Sequence, residues 1–162
     1  MKLTLSASLL VLAVGLVAAE PGKKTITHQD LWLMKRVGAP VPSPDGKWAV
    51  FPVTQPAYDP KEQSADLWIV PLDGSAPARQ LTQSKTPESG VAWSPDGTKI
   101  AFSAKRADDE AAQLYVLSLG GGEAERLTSL TLGARQPKWS PDGKQLLFVS
   151  DAFPGCADEE AN

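Results

Sequence analysis

The tetrapeptide Ser-Pro-Asp-Gly occurs three times in this chain of 162 residues, at Ser43-Pro44-Asp45-Gly46, Ser94-Pro95-Asp96-Gly97 and Ser140-Pro141-Asp142-Gly143. Each copy leads into a short apolar run with Phe five residues after the Gly: Phe51, Phe102 and Phe148. The copies start 51 and then 46 residues apart. Repeats of that period build propeller blades rather than helical solenoids. Within a copy, Pro presets φ for the first central position of a type I turn. Asp takes the second, where its carboxylate can accept from nearby backbone N–H groups. Gly then fits the left-handed position that closes such a turn into a hairpin with a bulge.

The second copy is the fullest. The strand before its turn ends in Trp93, and the strand after it places Ile100 and Phe102 on one face by period-two alternation. The third copy repeats the plan with Trp139, Leu146 and Phe148. The first has Pro42 in place of the Trp, as expected of an atypical terminal repeat. The likeness continues past the turns. Asp66-Leu67-Trp68-Ile69-Val70 corresponds to Gln113-Leu114-Tyr115-Val116-Leu117, and Arg79-Gln80-Leu81-Thr82 to Glu125-Arg126-Leu127-Thr128. From Thr82 to Trp93 is 11 residues, and from Thr128 to Trp139 is 11 again.

Each unit thus offers four strands in fixed order, which is one blade. The expected fold is all-β: an incomplete propeller of about two and a half four-stranded blades, over residues 38–87, 88–134 and 135–150, ending in an acidic tail to residue 162. The variable parts, residues 55–65 and 105–112, fall between the second and third strands, where insertions become surface loops. The count is ten strands, as four, four and two. Because a ring needs about four to eight whole blades, the gene is expected to run on past Asn162 with further Ser-Pro-Asp-Gly copies.

Ahead of the repeats, Lys2 precedes an apolar run over residues 3–17 and then Ala18-Ala19-Glu20-Pro21. A basic start, an apolar centre and small residues before a polar break make a secretory signal peptide, residues 1–19. An uncleaved anchor is the lesser reading, since the apolar run falls short of a span of about 20 residues. The mature chain is therefore expected to be exported, periplasmic or secreted, without a stable membrane anchor. Residues 20–37 form a lead-in whose segment 25–37 predicts one short helix: Thr27 and Asp30 make a capping-box-like start, Leu31 and Met34 follow at helical spacing, and Gly38 can end it.

Net charge is only −3 and no Lys/Arg cluster stands out, so nucleic acid is not an implied partner. The inventory for catalysis is thin. His28 is the one histidine, at a helix start, where it reads as exposed or capping. No Ser lies in a G-x-S-x-G elbow, and Gly74-Ser75-Ala76 reads as a loop. One His and one Cys, Cys156, do not make a transition-metal site. Asp108-Asp109 and Glu159-Glu160 lie in charged loop and tail sequence without EF-hand spacing. Gly120-Gly121-Gly122 lacks the Lys-Ser/Thr of a phosphate loop and reads as a turn. No catalytic, metal or cofactor-binding residue is assigned, and no cofactor is expected. The Ser-Pro-Asp-Gly residues themselves read as turn formers.

The pattern Trp-Ser-Pro-Asp-Gly-x-x-apolar-x-Phe resembles the WD40-like repeat of TolB-type propellers and of prolyl oligopeptidase-family serine peptidases. The lead-in Ile26-Thr27-His28-Gln29-Asp30-Leu31-Trp32-Leu33-Met34-Lys35-Arg36-Val37, running into Ser43-Pro44-Asp45-Gly46-Lys47-Trp48, is similar to the N-terminus of exported acylaminoacyl-peptidase or dipeptidyl-peptidase-like members of that family. The resemblance implies an N-terminal propeller that caps a C-terminal α/β-hydrolase domain carrying Ser, Asp and His, and that admits only short peptides. No catalytic position carries over, because none of those motifs occurs in these residues. The chain would hold the gating part and be inactive alone. Two other readings stand beside it: a non-catalytic TolB-like periplasmic propeller that binds other envelope proteins, and a truncated reading frame.

The leader makes a direct prediction. Mass spectrometry of the exported product should find Glu20 at the N-terminus, after cleavage behind Ala19. Recovery of intact Met1 in a membrane fraction would contradict it.

Overall fold

The computed structural model describes residues 25–155 apart from Lys85 and Ala107. The expected signal peptide, Cys156 and the acidic tail, with Glu159-Glu160, lie outside the described residues. Three antiparallel sheets follow one another along the chain. The first is made of β1 (Arg36–Val37), β2 (Val41–Pro42), β3 (Trp48–Gln55), β4 (Ser64–Pro71) and β5 (Arg79–Gln80). The second holds β6 (Ser89–Trp93), β7 (Lys99–Ala104), β8 (Gln113–Ser118) and β9 (Glu125–Arg126). The third is the pair β10 (Arg135–Trp139) and β11 (Leu146–Val149). The second sheet hydrogen-bonds in meander order, β6-β7-β8-β9, while in the first β1 and β2 both pair with β3, which is followed by β4 and β5. The fold is an incomplete β-propeller.

The three Ser-Pro-Asp-Gly turns fold alike to the atom. In the second, the Gly97 N–H donates to the Ser94 carbonyl at 2.9 Å. The Ser94 hydroxyl donates to Asp96 Oδ1 at 2.6 Å and accepts from the Lys99 N–H at 2.9 Å. Asp96 Oδ1 also accepts from the Thr98 N–H at 3.0 Å. The same bonds join Ser43, Asp45, Lys47 and Trp48, and again Ser140, Asp142, Lys144 and Gln145. Gly46, Gly97 and Gly143 all stand at φ +69°, the left-handed conformation the turn requires. The Ser is thus as necessary as the Pro, Asp and Gly: its hydroxyl bridges the turn carboxylate to the strand that leaves it.

Between sheets the tie is made by tryptophan. Trp93, at the end of β6, donates its indole N–H to the Val41 carbonyl in β2 at 2.9 Å. Trp139, at the end of β10, donates to the Ala92 carbonyl in β6 at 3.2 Å. The turns stack in the same sense: a Cβ built on Gly97 would lie 3.9 Å from Pro44 Cδ, and one on Gly143 would lie 3.5 Å from Pro95 Cδ. One core therefore joins the first two blades, with Val50, Leu67, Ile100 and Phe102 fully buried in it. Phe102 pairs across the ladder with Tyr115, ring centroids 6.2 Å apart.

Three features differ from the sequence-based expectation. The helix, α1 (His28–Trp32), is five residues long and ends well before Gly38. The Thr27–Asp30 capping box forms, but α1 buries no residue, so nothing rewards its extension. Arg36 and Val37 instead pair with Thr54 and Val53 of β3, making the first half of an inner strand that β2 completes. The described residues hence hold eleven strands, not ten, with the first inner strand broken at Gly38-Ala39-Pro40. Gly38 serves that strand: its N–H donates to the Pro52 carbonyl at 2.8 Å, and a Cβ there would meet Pro52 Cγ at 2.6 Å.

The second difference is a register shift in β6 at Gly90 and in β10 at Gln136, both at positive φ (66° and 55°) and 46 residues apart. The third concerns alternation. In β7 every residue after Lys99 is buried, because the middle blade is covered on both faces. In β11, where the plan of the third copy puts Phe148 inward, Leu147 is 72% and Phe148 37% exposed.

Two substitutions test this frame in urea melts of the purified chain. Phe102→Ala should cost about 3–5 kcal/mol by emptying a fully buried ring site. Ser94→Ala should cost about 0.5–1.5 kcal/mol by removing the hydroxyl that joins the Lys99 N–H to the Asp96 carboxylate, which keeps its Thr98 donors. A Phe102→Ala chain as stable as the parent would contradict the inward placement.

Candidate functional site

The residues with unusual chemistry gather at the seam between the first and second blades. Glu88 lies in the link from β5 to β6, and its N–H donates to the Ala65 carbonyl at 3.3 Å. Its side chain is wholly buried. The Thr82 hydroxyl donates to Glu88 Oε2 and accepts from the Leu67 N–H at 2.9 Å. Glu88 Oε1 accepts no hydrogen bond and faces Arg106 Nη2 at 4.0 Å. Burial raises the Glu88 carboxyl to about 7, against the opposing pull of the Thr82 hydroxyl and the Arg106 charge.

Arg106 follows β7 and lays its guanidinium over the Tyr115 ring, 4.5 Å from the centroid. The Tyr115 hydroxyl donates to Asp109 Oδ2 at 2.7 Å, and the Arg106 backbone N–H donates to the same oxygen at 2.9 Å. Asp109 Oδ1 pairs with Arg126 Nε at 3.2 Å. Burial first, and then the Asp109 carboxylate, push the Tyr115 phenol up to about 12. A continuous polar chain thus runs Thr82, Glu88, Arg106, Tyr115, Asp109, Arg126. Beside it opens a cleft of about 370 Å³, lined by Leu81, Thr82, Arg106, Leu117 and Ala124 among others. The cluster can hold charge and join blades. Its two hydroxyls, Thr82 and Tyr115, are buried and each is committed to a carboxylate, Glu88 and Asp109.

The second blade solves the same local problem without a buried acid. Thr128 stands where Thr82 stands in the first, and its hydroxyl accepts from the Leu114 N–H at 2.9 Å. It then donates to Gln113 Oε1 at 2.8 Å rather than to a carboxylate. Sequence reasoning missed Glu88 altogether and placed Asp109 in a charged loop with Asp108. Only Asp108 is exposed; Asp109 is 6% exposed. The available signal was the repeat itself, in which Glu88 aligns with Ala134.

His28 is exposed at the first position of α1, its ring stacked on Trp32 at 6.1 Å, which stacks on Tyr58 at 6.3 Å. Ser75 sits in the turn after β4, its N–H donating to Asp73 Oδ1 at 2.9 Å. Gly120-Gly121-Gly122 makes the turn after β8, where the Gly121 N–H donates to the Ser118 carbonyl at 3.3 Å. Among the described residues no three His, Cys, Asp or Glu side chains come together as a metal site, and no helix is long and apolar enough to cross a membrane.

The blades, their turns and their Trp ties agree with comparison to known proteins. The sequence pattern of the TolB beta propeller domain matches residues 26–154. The chain belongs to that family. This TolB-type propeller is 37% identical over 129 residues to the uncharacterized peptidase YuxL of Bacillus subtilis, covering 78% of the chain and 19% of the relative. It is 34% identical over 143 residues to dipeptidyl-peptidase 5 of Porphyromonas gingivalis, covering 85% of the chain and 20% of that protein. The chain thus spans about a fifth of the length of the curated relatives it matches. Among solved structures, the acylaminoacyl peptidase of Pyrococcus horikoshii superposes with a TM-score of 0.59 at 20% identity, over 79% of this chain and 19% of that one, and so shares the fold.

Glu88 gives this propeller a signed pH dependence. Its folded value of about 7 lies above the ordinary 4.5, so folding takes up a proton. The contribution is whole below pH 4.5 and is lost as pH rises through 7, by about 3 kcal/mol at 1.36 kcal/mol per unit. Urea melts across pH 4.5–7.5 should show parent stability falling relative to Glu88→Gln. Parallel curves for the two proteins would refute the buried-acid assignment.

Proposed function

We propose that this chain is the gating propeller portion of an exported serine peptidase of the prolyl oligopeptidase type. Residues 1–19 act as a signal peptide, residues 20–37 as a lead-in with one short helix, and residues 38–162 as blades bounded near 87 and 134. The propeller works with a C-terminal α/β-hydrolase domain supplied by the longer polypeptide, and it limits access to short peptides. The observation that carries this reading is the match to peptidase relatives over most of this chain but a fifth of theirs. A propeller suits the role because its rigid, closed β-blades wall off a channel without exposed strand edges.

The Ser and His inventory supports a division of labour. The one histidine, His28, is exposed and stacked on Trp32, and no serine stands in an elbow. Hydrolysis therefore belongs to the other domain. A second reading, a TolB-like periplasmic propeller that binds protein partners without catalysis, is favoured by the family match itself.

Purified residues 20–162, assayed with aminoacyl and dipeptidyl chromogenic substrates, should match the buffer blank. Turnover abolished by a serine-directed inhibitor would refute the inventory. The coding sequence downstream separates the two readings. The peptidase reading expects G-x-S-x-G, then Asp, then His in chain order. Further blades ending without a nucleophile elbow would favour the binding propeller.

A further inference from the structure

At the seam between the first two blades a guanidinium is held in place and its donors are left unused. Arg106 lies over the Tyr115 ring, yet among the described residues its side chain donates no hydrogen bond, and its Nε is buried without an acceptor. Glu88 Oε1 stands 4.0 Å from Arg106 Nη2, beyond hydrogen-bond reach, and accepts nothing. The Asp109 carboxylate is already taken by Tyr115, by the Arg106 backbone and by Arg126. A guanidinium ordinarily spends its planar fork of donors on a carboxylate. Here 35% of the side chain remains exposed. It lines the cleft of about 370 Å³ with Gln83 and Glu123, between apolar walls of Leu81, Leu117 and Ala124. The arrangement does not repeat: 46 residues on, Glu88 and Arg106 align with Ala134 and Ala152.

We propose that this cleft binds a singly charged carboxylate carrying a small aliphatic group, the chemistry of an acylated amino acid or of a peptide C-terminus. The carboxylate takes the Arg106 donors, and the aliphatic group packs on Leu81, Leu117 and Ala124. The cleft is near the lower end of small-molecule sites, about 300–1,000 Å³, which suits a ligand of that size. Glu123 sets the charge limit: exposed on the same cleft, it repels a second negative charge. Glu88 sets the pH limit. The groups that act on its carboxyl are Thr82 after β5, Asp66 in β4 and Arg106 after β7. Protonated, Glu88 leaves the Arg106 charge to the ligand; ionised, it competes for that charge. The site rests on the seam geometry and not on the peptidase reading, so either can fail alone.

N-acetyl-leucine is the probe, with N-acetyl-leucinamide as its uncharged twin. In NMR titrations of the purified chain at pH 6, the acid should bind saturably at roughly millimolar concentration and shift the backbone signals of residues 81–83, 106 and 122–124. The uncharged twin should bind roughly tenfold more weakly, since it offers no charge to the guanidinium. N-acetyl-Gly-Gly-Leu separates the two sources: tighter binding than N-acetyl-leucine assigns a peptide C-terminus, and weaker binding assigns the free acid. Sulfate, doubly charged, should bind more weakly than the acid. Arg106→Gln should abolish binding. The acid stays ionised from pH 6 to 8, yet its affinity should fall roughly tenfold across that range as Glu88 ionises near 7, and should stay level in Glu88→Gln. Equal affinity for acid and uncharged twin, sulfate binding as tight as the acid, shifts confined to residues outside the cleft, or the same pH profile in Glu88→Gln would each overturn the proposal. If Arg106→Gln disturbs the fold, the comparison of acid and uncharged twin on the parent chain decides alone.

Discussion

The indole of Trp93 bonded to the Val41 carbonyl is the contact on which the rest of the arrangement hangs, and Trp139 on Ala92 repeats it. A four-stranded sheet has two faces and can bury neither by itself. Stacking blade on blade buries both, but flat apolar faces slide. A directional bond from a large buried ring to a backbone carbonyl fixes the offset. Its net worth is only about 1 kcal/mol, yet each partner would be costly to leave unpaired in the seam. Trp93, 9% exposed, combines that polar tip with a broad apolar body. The cover on both faces then explains why Ala101 and Ser103 are as buried as Phe102.

The Ser-Asp turn is what delivers the indole to its carbonyl. In all three copies the Ser hydroxyl donates to the turn carboxylate, and this bond, ahead of the backbone donors, draws Asp45, Asp96 and Asp142 below the usual carboxylate range. Their stabilising effect is present above the ordinary Asp value and fades as acid protonates them. Glu88 has the opposite sign, favouring the fold while protonated and losing that as pH rises through 7. Repeated surface turns and one buried seam acid thus oppose each other. The turns weaken the fold in strong acid, and Glu88 weakens it toward neutrality.

The features that repeat were legible in the sequence. The turn's place, its left-handed Gly and the strand order could be read because three copies average out local accident. Phe102 could be placed inside for the same reason. What occurs once was not legible. The lead-in carried a true capping box, yet local helix signals cannot report that Arg36 and Val37 find partners on β3. Glu88 looks like an ordinary surface charge until Thr82 and Arg106 are seen to close around it. Asp109 is drawn inward by Tyr115 and Arg126, residues 6 and 17 positions away. Phe148 shows the converse: its motif is intact, but burial is set by what covers β11 rather than by alternation.

This division between repeated and singular residues also locates the chemistry. The turn, the indole and the Leu/Thr strand recur and hold the blades. Arg106 and Asp109 come from the link between the second and third strands of the second blade, which in the first blade is a segment with a 3-10 turn at Pro60–Glu62 instead. Glu88 comes from the link between blades. A propeller can vary such links without disturbing its ladders, because the backbone donors and acceptors of the strands are already paired. The polar chain from Thr82 to Arg126 is therefore a local addition to a generic frame. Because it crosses from the first blade to the second, it makes that seam chemically unlike the one between the second and third, where the Ser103 hydroxyl simply donates to the Ala134 carbonyl at 2.8 Å.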